Sequence, residues 1–339
     1  MKHTGKILLI VTVLAISNAG YSKMIDNPYE VGTWPGFREA AISYTFDDGC
    51  SNQFTVALPM FDEFGYKMTL FTVIDWVKGN WDILKSAALE GHEVASHTMT
   101  HPYLNRLSKE QQEIELKKSK EIIDANIPKS KCITIAYPYC VPGDMTICKK
   151  YYIAARNCQG RIEKSTPDDF MNISSIICGS QGSLKTAKDF SKKFDETAAS
   201  KGWCVLLLHG IDNDGGYSPC LSAELKGSLE YLAAHKDKFW VETFVNVVRY
   251  IRERDAVSVK ESSRQDNSIT VQVTDNLDNE IYNYPVTIRR PLPENWKAVK
   301  ATQNNKAVNT SIVEVDSAKY VMFDAIPDKG DVILSNDNK

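Results

Sequence analysis

Between residues 40 and 254, short apolar runs alternate with amphipathic stretches. The apolar runs carry hydrophobic residues on both faces, which is typical of buried parallel strands. We predict strands at residues 41–46, 68–74, 93–96, 132–137, 152–155 and 204–208. Alternation of such strands with helices favours a (β/α) barrel or an open α/β sheet. In a barrel, the chemistry lies at the C-terminal ends of the strands.

The clearest helix pattern covers residues 108–126. Ser108 and Gln111 form a capping-box signature, and isoleucines recur at helical spacing after them. Further helices are predicted at 221–235 and 242–254.

After residue 254 the pattern changes to alternating strand-like runs separated by Asn, Asp, Pro and Gly. These runs are 269–273, 286–289, 311–315 and 320–323. We predict a small all-β, sandwich-like domain over 262–339. Packing against the first domain is its expected role, and Trp296 with a few tyrosines leaves carbohydrate binding as the less favoured alternative.

The N-terminus has the composition of a targeting segment. A basic start at residues 2–6 is followed by an apolar run at 7–16 and small residues at 17–20. This order predicts a secretory signal peptide over 1–22 and export to the periplasm or the extracellular space. The first folded domain is then expected at 23–258.

Charge and cysteine content narrow the class of partner. The formal net charge of −3 gives no reason to expect a nucleic-acid partner. No apolar stretch is long enough for stable membrane insertion.

All eight cysteines lie between 50 and 220, and an even number in an exported chain predicts disulfides within the first domain. Their pairing stays open, as does the alternative that some thiols are simply buried.

Two adjacent carboxylates, Asp47 and Asp48, close the first strand and precede Gly49. Their side chains point in different directions, so one could bind a metal while the other reaches a water. The alternative is an ordinary pair of turn acids, which are common at strand ends.

Two histidines, His97 and His101, follow a later strand at a spacing of four residues. Such imidazoles can converge on one metal, and a carboxylate would complete a two-His, one-carboxylate set with open positions. The alternative is a pair of structural histidines.

A third imidazole, His209, ends the strand at 204–208 and precedes Gly210. This is the placement expected for a general acid or base at a barrel mouth, although a single histidine at a strand end is more often structural. We interpret His92 as structural.

Together the three motifs resemble a known family. Thr-Phe-Asp-Asp-Gly at 45–49, Ser-His-Thr-Met-Thr-His at 96–101 and Leu-Leu-Leu-His-Gly at 206–210 resemble the polysaccharide deacetylases of carbohydrate esterase family four, the NodB homology domain. The resemblance covers about 34–254. It implies a distorted (β/α) barrel and a divalent metal, zinc most often, with cobalt or another transition metal as alternatives.

The resemblance also implies residue roles. Asp48, His97 and His101 would bind the metal, Asp47 would act as the catalytic base, and His209 as the general acid. The backbone N–H of Tyr139 would bind the oxyanion, and Leu207 would line the pocket for the acetyl methyl group.

The sequence departs from the family pattern at two points. Ala136 stands where many members carry an arginine that steadies the base, and Arg156 or Arg161 could replace it. The acidic partner of the acid histidine is not recognisable; its candidates are Asp168, Asp169, Asp212 and Asp214.

The sequence therefore predicts a metal-dependent hydrolase that removes acetyl groups from an acetylated polysaccharide or oligosaccharide, with N-acetylglucosamine-type glycans favoured. An O-acetyl esterase acting on xylan-type chains is the first alternative. A carbohydrate-binding protein that has lost catalysis is the second, less favoured because the metal ligands, the base and the acid are all present.

Overall fold

The structure is a computed structural model that describes residues 27–127 and 130–338. The predicted signal peptide at 1–22 lies outside the described residues. The first part contains strands β1 (Glu30–Val31), β2 (Ala40–Asp47), β3 (Thr69–Thr72), β4 (Glu93–Ser96), β5 (Thr134–Ala136), β6 (Ala154–Arg156), β7 (Ile176–Ile177), β8 (Trp203–Leu208) and β9 (Phe239–Val241). Its helices are α1 (Leu58–Phe64), α2 (Ile74–Val77), α3 (Trp81–Leu89), α4 (Lys109–Asn126), α5 (Met145–Tyr151), α6 (Ala187–Ala199), α7 (Ser222–Ala234) and α8 (Phe244–Ala256).

An eight-stranded parallel sheet forms the centre of this part, in the order β6-β5-β4-β3-β2-β8-β7 with β9 also paired to β2. Every residue of β2 is buried, because the strand has apolar neighbours on both faces. From Ile42 to Asp47 apolar and polar side chains alternate, and both sets are buried, as expected for a strand covered on both faces.

The sheet is strongly curled. Arg156 ends β6 and Asp47 ends β2, and three strands lie between them in the sheet. In a flat sheet four strand spacings would separate these residues by about 19 Å. Instead their side chains form an ion pair. The predicted α/β class is therefore confirmed, and the sheet is a curled half-barrel rather than a flat open sheet.

The capping box predicted for the clearest helix is present at the start of α4. The Ser108 side chain accepts from the N–H of Gln111, and the Gln111 side chain accepts from the N–H of Ser108. The regular strand–helix alternation is interrupted between β6 and β7, where the only helical element is a single 3₁₀ turn, Phe170–Asn172. Strands β7 and β9 were not predicted, because their two or three residues do not lie within a longer apolar run of the kind that contains β5 and β6.

The C-terminal part consists of two antiparallel sheets, ordered β1-β12-β16-β15 and β10-β11-β17-β13-β14. Its strands are β10 (Ser258–Gln265), β11 (Ser268–Thr274), β12 (Val286–Pro291), β13 (Val299–Gln303), β14 (Lys306–Ala307), β15 (Thr310–Val315), β16 (Ala318–Ala325) and β17 (Val332–Asn336). The N-terminal strand β1 joins the first of these sheets by pairing with β12. The predicted all-β character is thus confirmed, with more strands than the four that were predicted.

One continuous hydrophobic cluster joins α8 to the C-terminal sheets. It contains Trp34, Trp203, Phe244 and Val247 together with Val271, Ile288 and Val321. No helix in the described ranges is both long and apolar enough to cross a bilayer.

A buried carboxyl lies at this junction. Glu253 of α8 is fully buried, and its Oε1 accepts from the backbone N–H of Tyr284, 3.0 Å away. Burial, followed by the nearby Asp275, raises the pKa of Glu253 from 4.5 to about 8. The neutral form is therefore favoured in the folded protein.

This carboxyl should make stability fall with rising pH. Because the folded-state pKa lies above the unfolded one, the stabilisation is complete below about pH 4.5 and is lost as the pH rises through about 8. We expect Glu253→Gln to lose this dependence and to gain a few kcal/mol, about 4 at most, relative to wild type between pH 5 and 9. Urea unfolding of both proteins at pH 5 and pH 9 measures the change in the free energy of unfolding. An equal change in the two proteins would contradict the prediction.

Candidate active site

Two strand ends bring one carboxylate and two imidazoles together. Asp48 follows β2, and His97 and His101 lie on the loop after β4. Asp48 Oδ1 is 3.6 Å from His97 Nε2 and 3.7 Å from His101 Nε2. Two donors bound 2.0–2.1 Å from a tetrahedral ion are about 3.3 Å apart. The three side chains are therefore spaced like the ligands of one ion.

The donor chemistry fits a divalent metal as well. The ring N–H at Nδ1 of His97 donates to the carbonyl of Ala136 over 2.8 Å, which leaves Nε2 to face Asp48 with its lone pair. Burial lowers the pKa of His97 to about 4, so the ring is neutral. Asp48 Oδ1 is buried and has no hydrogen-bond partner among the described residues. A cation would satisfy this oxygen.

The charge of Asp48 depends on such a cation. Burial, followed by repulsion from Asp47, raises the pKa of the Asp48 carboxyl to about 7. A bound cation would favour the ionised form, because opposite charge stabilises a carboxylate.

Asp47 is held by a buried ion pair. Arg156 Nη2 contacts Asp47 Oδ2, and Arg156 Nη1 donates to Ser175 Oγ over 3.1 Å. Burial alone would raise the pKa of Asp47, but Arg156, His97 and His209 outweigh it and the net shift is downward. The carboxylate is therefore ionised and ready to accept a proton.

Arg156 occupies the position next to Ala136 in the sheet. The two residues are register partners on β6 and β5, so their side chains lie at the same level. Of the two candidates from the sequence, Arg156 contacts Asp47, whereas Arg161 pairs with Glu163 and is half exposed. An arginine thus reaches Asp47 from β6, the strand next to the one that carries Ala136.

His209 follows β8 and faces Asp47. Its Nε2 is 3.9 Å from Asp47 Oδ2, and its buried Nδ1 has no hydrogen-bond partner among the described residues. Burial lowers the pKa of His209. The four candidate carboxylates are engaged elsewhere: Asp168 with Lys164, Asp169 with the N–H of Met171, Asp212 with the N–H of Ser222, and Asp214 with the N–H groups of Ile211 and Gly216.

A turn at Pro138–Cys140 borders the same pocket. Its two hydrogen bonds use the N–H groups of Cys140 and Val141, which leaves the N–H of Tyr139 outside the turn's hydrogen bonds. A disulfide joins Cys140 to Cys158, two residues beyond Arg156. The other six cysteines are free and mostly buried, so both alternatives that the sequence left open occur.

The pocket has a volume of about 580 Å³, and Leu207 and Ile177 form part of its apolar wall. The sequence analysis did not single out Tyr103 and Tyr217, which also line it. Tyr103 stacks on Tyr139 with 3.9 Å between ring centroids, and Tyr217 meets His209 edge to face at 5.0 Å. Each tyrosine follows a histidine motif in the chain, which is the signal that could have identified it.

A second group of metal-type ligands, Asp62, Glu90 and His92, is explained by its own contacts. His92 Nδ1 accepts from the N–H of Met68, and its Nε2 donates to Asp62 over 2.9 Å. Lys67 already pairs with Asp62 at 3.3 Å. The histidine therefore joins α1 to the start of β3, in line with the structural role we predicted for it.

Comparison with known proteins confirms the resemblance that the motifs predicted. Residues 36–150 match the polysaccharide deacetylase family. A chitooligosaccharide deacetylase from Rhizobium leguminosarum bv. trifolii is 37% identical over 98 residues, which are 28% of this chain and 44% of that protein.

Two further similarities extend beyond the motif region. A gellan lyase from a Bacillus species is 27% identical over 332 residues, covering 91% of this chain but 13% of that protein. A solved polysaccharide deacetylase homologue from Mycobacterium smegmatis has a TM-score of 0.51 at 16% identity, covering 70% of this chain and 99% of that one. The latter confirms the fold. The chain spans less than half the length of either curated relative.

We predict that Asp48, His97 and His101 form a divalent-metal site, and zinc is the first metal to test. Zinc at a hundred times its dissociation constant should stabilise the folded protein by about 2.7 kcal/mol, and its removal by a chelator should reverse this. We expect His101→Ala to abolish the zinc-induced rise in the thermal midpoint.

His235→Ala, at the end of α7, serves as the control and should keep the full rise. If His101→Ala kept it as well, zinc would be binding elsewhere.

Proposed function

We propose that this chain is a metal-dependent hydrolase that removes acetyl groups from an acetylated polysaccharide or oligosaccharide. The observation that carries the proposal is the convergence of three groups of residues in one pocket. These are the three metal-type ligands, an ionised carboxylate paired with Arg156, and an imidazole nitrogen 3.9 Å from that carboxylate.

Each residue has a defined task in this reaction. Asp48, His97 and His101 would hold a divalent metal, zinc being favoured, and the bound ion would supply Lewis acidity and lower the pKa of a water. Asp47 accepts the proton of the attacking water, since its lowered pKa keeps it ionised. The N–H of Tyr139 donates to the developing oxyanion, a contribution of roughly 3–4 kcal/mol for a well-placed donor.

His209, whose Nε2 lies 3.9 Å from Asp47, delivers a proton to the leaving group. An amine leaves poorly without a proton, so this step is more important for an amide than for an ester. Leu207 and Ile177 supply the apolar contact for the acetyl methyl group.

Acetylated glycans are the proposed substrates, with N-acetylglucosamine-type chains favoured. The support comes from the family match, from relatives named as chitooligosaccharide deacetylases, and from aromatic rings at the pocket. Tyr139 and Tyr217 are about half exposed, as rings that stack on sugar faces must be. We further propose that the chain is exported, a location in which the Cys140–Cys158 disulfide would be stable.

Two alternatives use the same pocket. An O-acetyl esterase would need the same ligands and base but would depend less on His209. A carbohydrate-binding protein would need none of the buried charge around Asp47. Both side chains of the Asp47–Arg156 ion pair are buried, and removing two charges from water costs free energy. A catalytic base would account for this cost, whereas a binding protein would not, so the ion pair favours an enzyme.

Acetate release tests the proposal. Purified protein with added zinc should release acetate from at least one of N-acetylated chitin oligomers, peptidoglycan and O-acetylated xylan. The preferred substrate then separates amidase from esterase activity. Asp47→Asn should lower turnover by 10²- to 10⁴-fold, since it removes the base.

Asp82→Asn, a substitution at a nearly fully exposed position, is the matched control and should keep full activity. Absence of acetate from every substrate would favour the binding protein, and full activity of Asp47→Asn would show that another group is the base.

Arg156→Ala should lower the fraction of Asp47 that is ionised at a given pH. Without its cationic partner Asp47 keeps its proton to higher pH, so we expect turnover to fall about 10- to 100-fold and the acid limb of the pH–rate profile to move upward. Ala136→Arg, introduced into the same variant, places a guanidinium at the neighbouring register position and should restore part of the lost rate. An unchanged acid limb in Arg156→Ala would remove Arg156 from this role.

A further inference from the structure

The turn between the two metal-binding histidines is fixed by a side chain from α4. Glu115 is buried, and its Oε2 accepts from the N–H groups of Met99 and Thr100 over 2.9 and 3.0 Å. Its Oε1 accepts from the Thr100 hydroxyl over 2.8 Å. All three donors belong to the residues between His97 and His101, so one carboxylate holds the middle of the turn.

The turn needs this support because its backbone is unfavourable. Thr98 has φ of 70° and His101 has φ of 61°, and a β-branched residue rarely adopts the left-handed region. The Ser96 hydroxyl accepts from the N–H of Thr98, and the Thr98 hydroxyl accepts from the N–H of His101. These bonds hold the two ends of the turn, and Glu115 holds its centre.

Glu115 has no cationic partner among the described residues. Its carboxylate forms no ion pair there, and its three hydrogen-bond donors are neutral groups. A buried charge is costly unless it is paired. The turn that it holds carries His97 and His101, the two imidazoles that would bind a divalent cation.

We infer that Glu115 is a positioning residue of the metal site, which fixes the His97–His101 turn and whose negative charge is balanced by the bound cation. This inference rests on the metal site of the proposed function. Removing a group that orients metal ligands through hydrogen bonds commonly lowers the metal affinity 10- to 100-fold.

Zinc affinity of the full-length protein tests the inference, measured by competition with a chromogenic chelator at one pH. Glu115→Ala removes both the hydrogen bonds and the charge, and should weaken zinc binding 10- to 100-fold. Glu115→Gln can keep all three hydrogen bonds, since the Thr100 hydroxyl can also accept, and should weaken binding only several-fold. Glu121→Ala, at an exposed position on the same helix, should bind zinc like wild type.

The thermal midpoint of the metal-free proteins separates positioning from simple stability. A lower midpoint in Glu115→Ala with a zinc affinity within twofold of wild type would overturn the inference. If Glu115→Ala does not fold, Glu115→Gln decides, and a wild-type affinity in that variant would overturn the role of the charge. Failure of the wild-type protein to bind zinc would instead overturn the proposed metal site itself.

Discussion

The curl of the parallel sheet is the constraint on which the whole site depends. Because the sheet is curled, the ends of strands that are far apart in sheet order lie close together in space. Arg156 of β6 therefore contacts Asp47 of β2. Asp47 of this ion pair lines the pocket together with Tyr139 and His209. A flatter sheet would keep every strand and every motif and still separate the groups that the chemistry needs.

Much of the fold could be predicted because its strands are apolar on both faces and its clearest helix carries a capping box. Strand ends then indicated where Asp47, Asp48, His97 and His209 would meet. The short strands β1, β7 and β9 could not be predicted, since two or three residues give little pattern and their pairing is decided by distant chain. The N-terminal strand β1, for instance, pairs with β12 more than 250 residues away.

The candidate site was less predictable at its supporting groups than at its ligands. Glu115 lies on a helix whose pattern explains it equally well as a polar residue at the surface, and only the three-dimensional approach of α4 to the loop after β4 gives it a partner. His209 shows the opposite case. A carboxylate partner was expected for it, yet the described residues leave its Nδ1 without one, and Tyr217 packs beside the ring.

The adjacency of Ala136 and Arg156 in the sheet has a consequence for how sites of this kind are recognised. A guanidinium that pairs with one carboxylate can be encoded on either of two neighbouring strands, at positions that here lie 20 residues apart in the chain. Evolution can therefore transfer this group between strands by two ordinary substitutions while its location in space stays nearly constant. A search that scores fixed motif positions would class this site as degenerate, whereas a template of atoms in space would class it as whole.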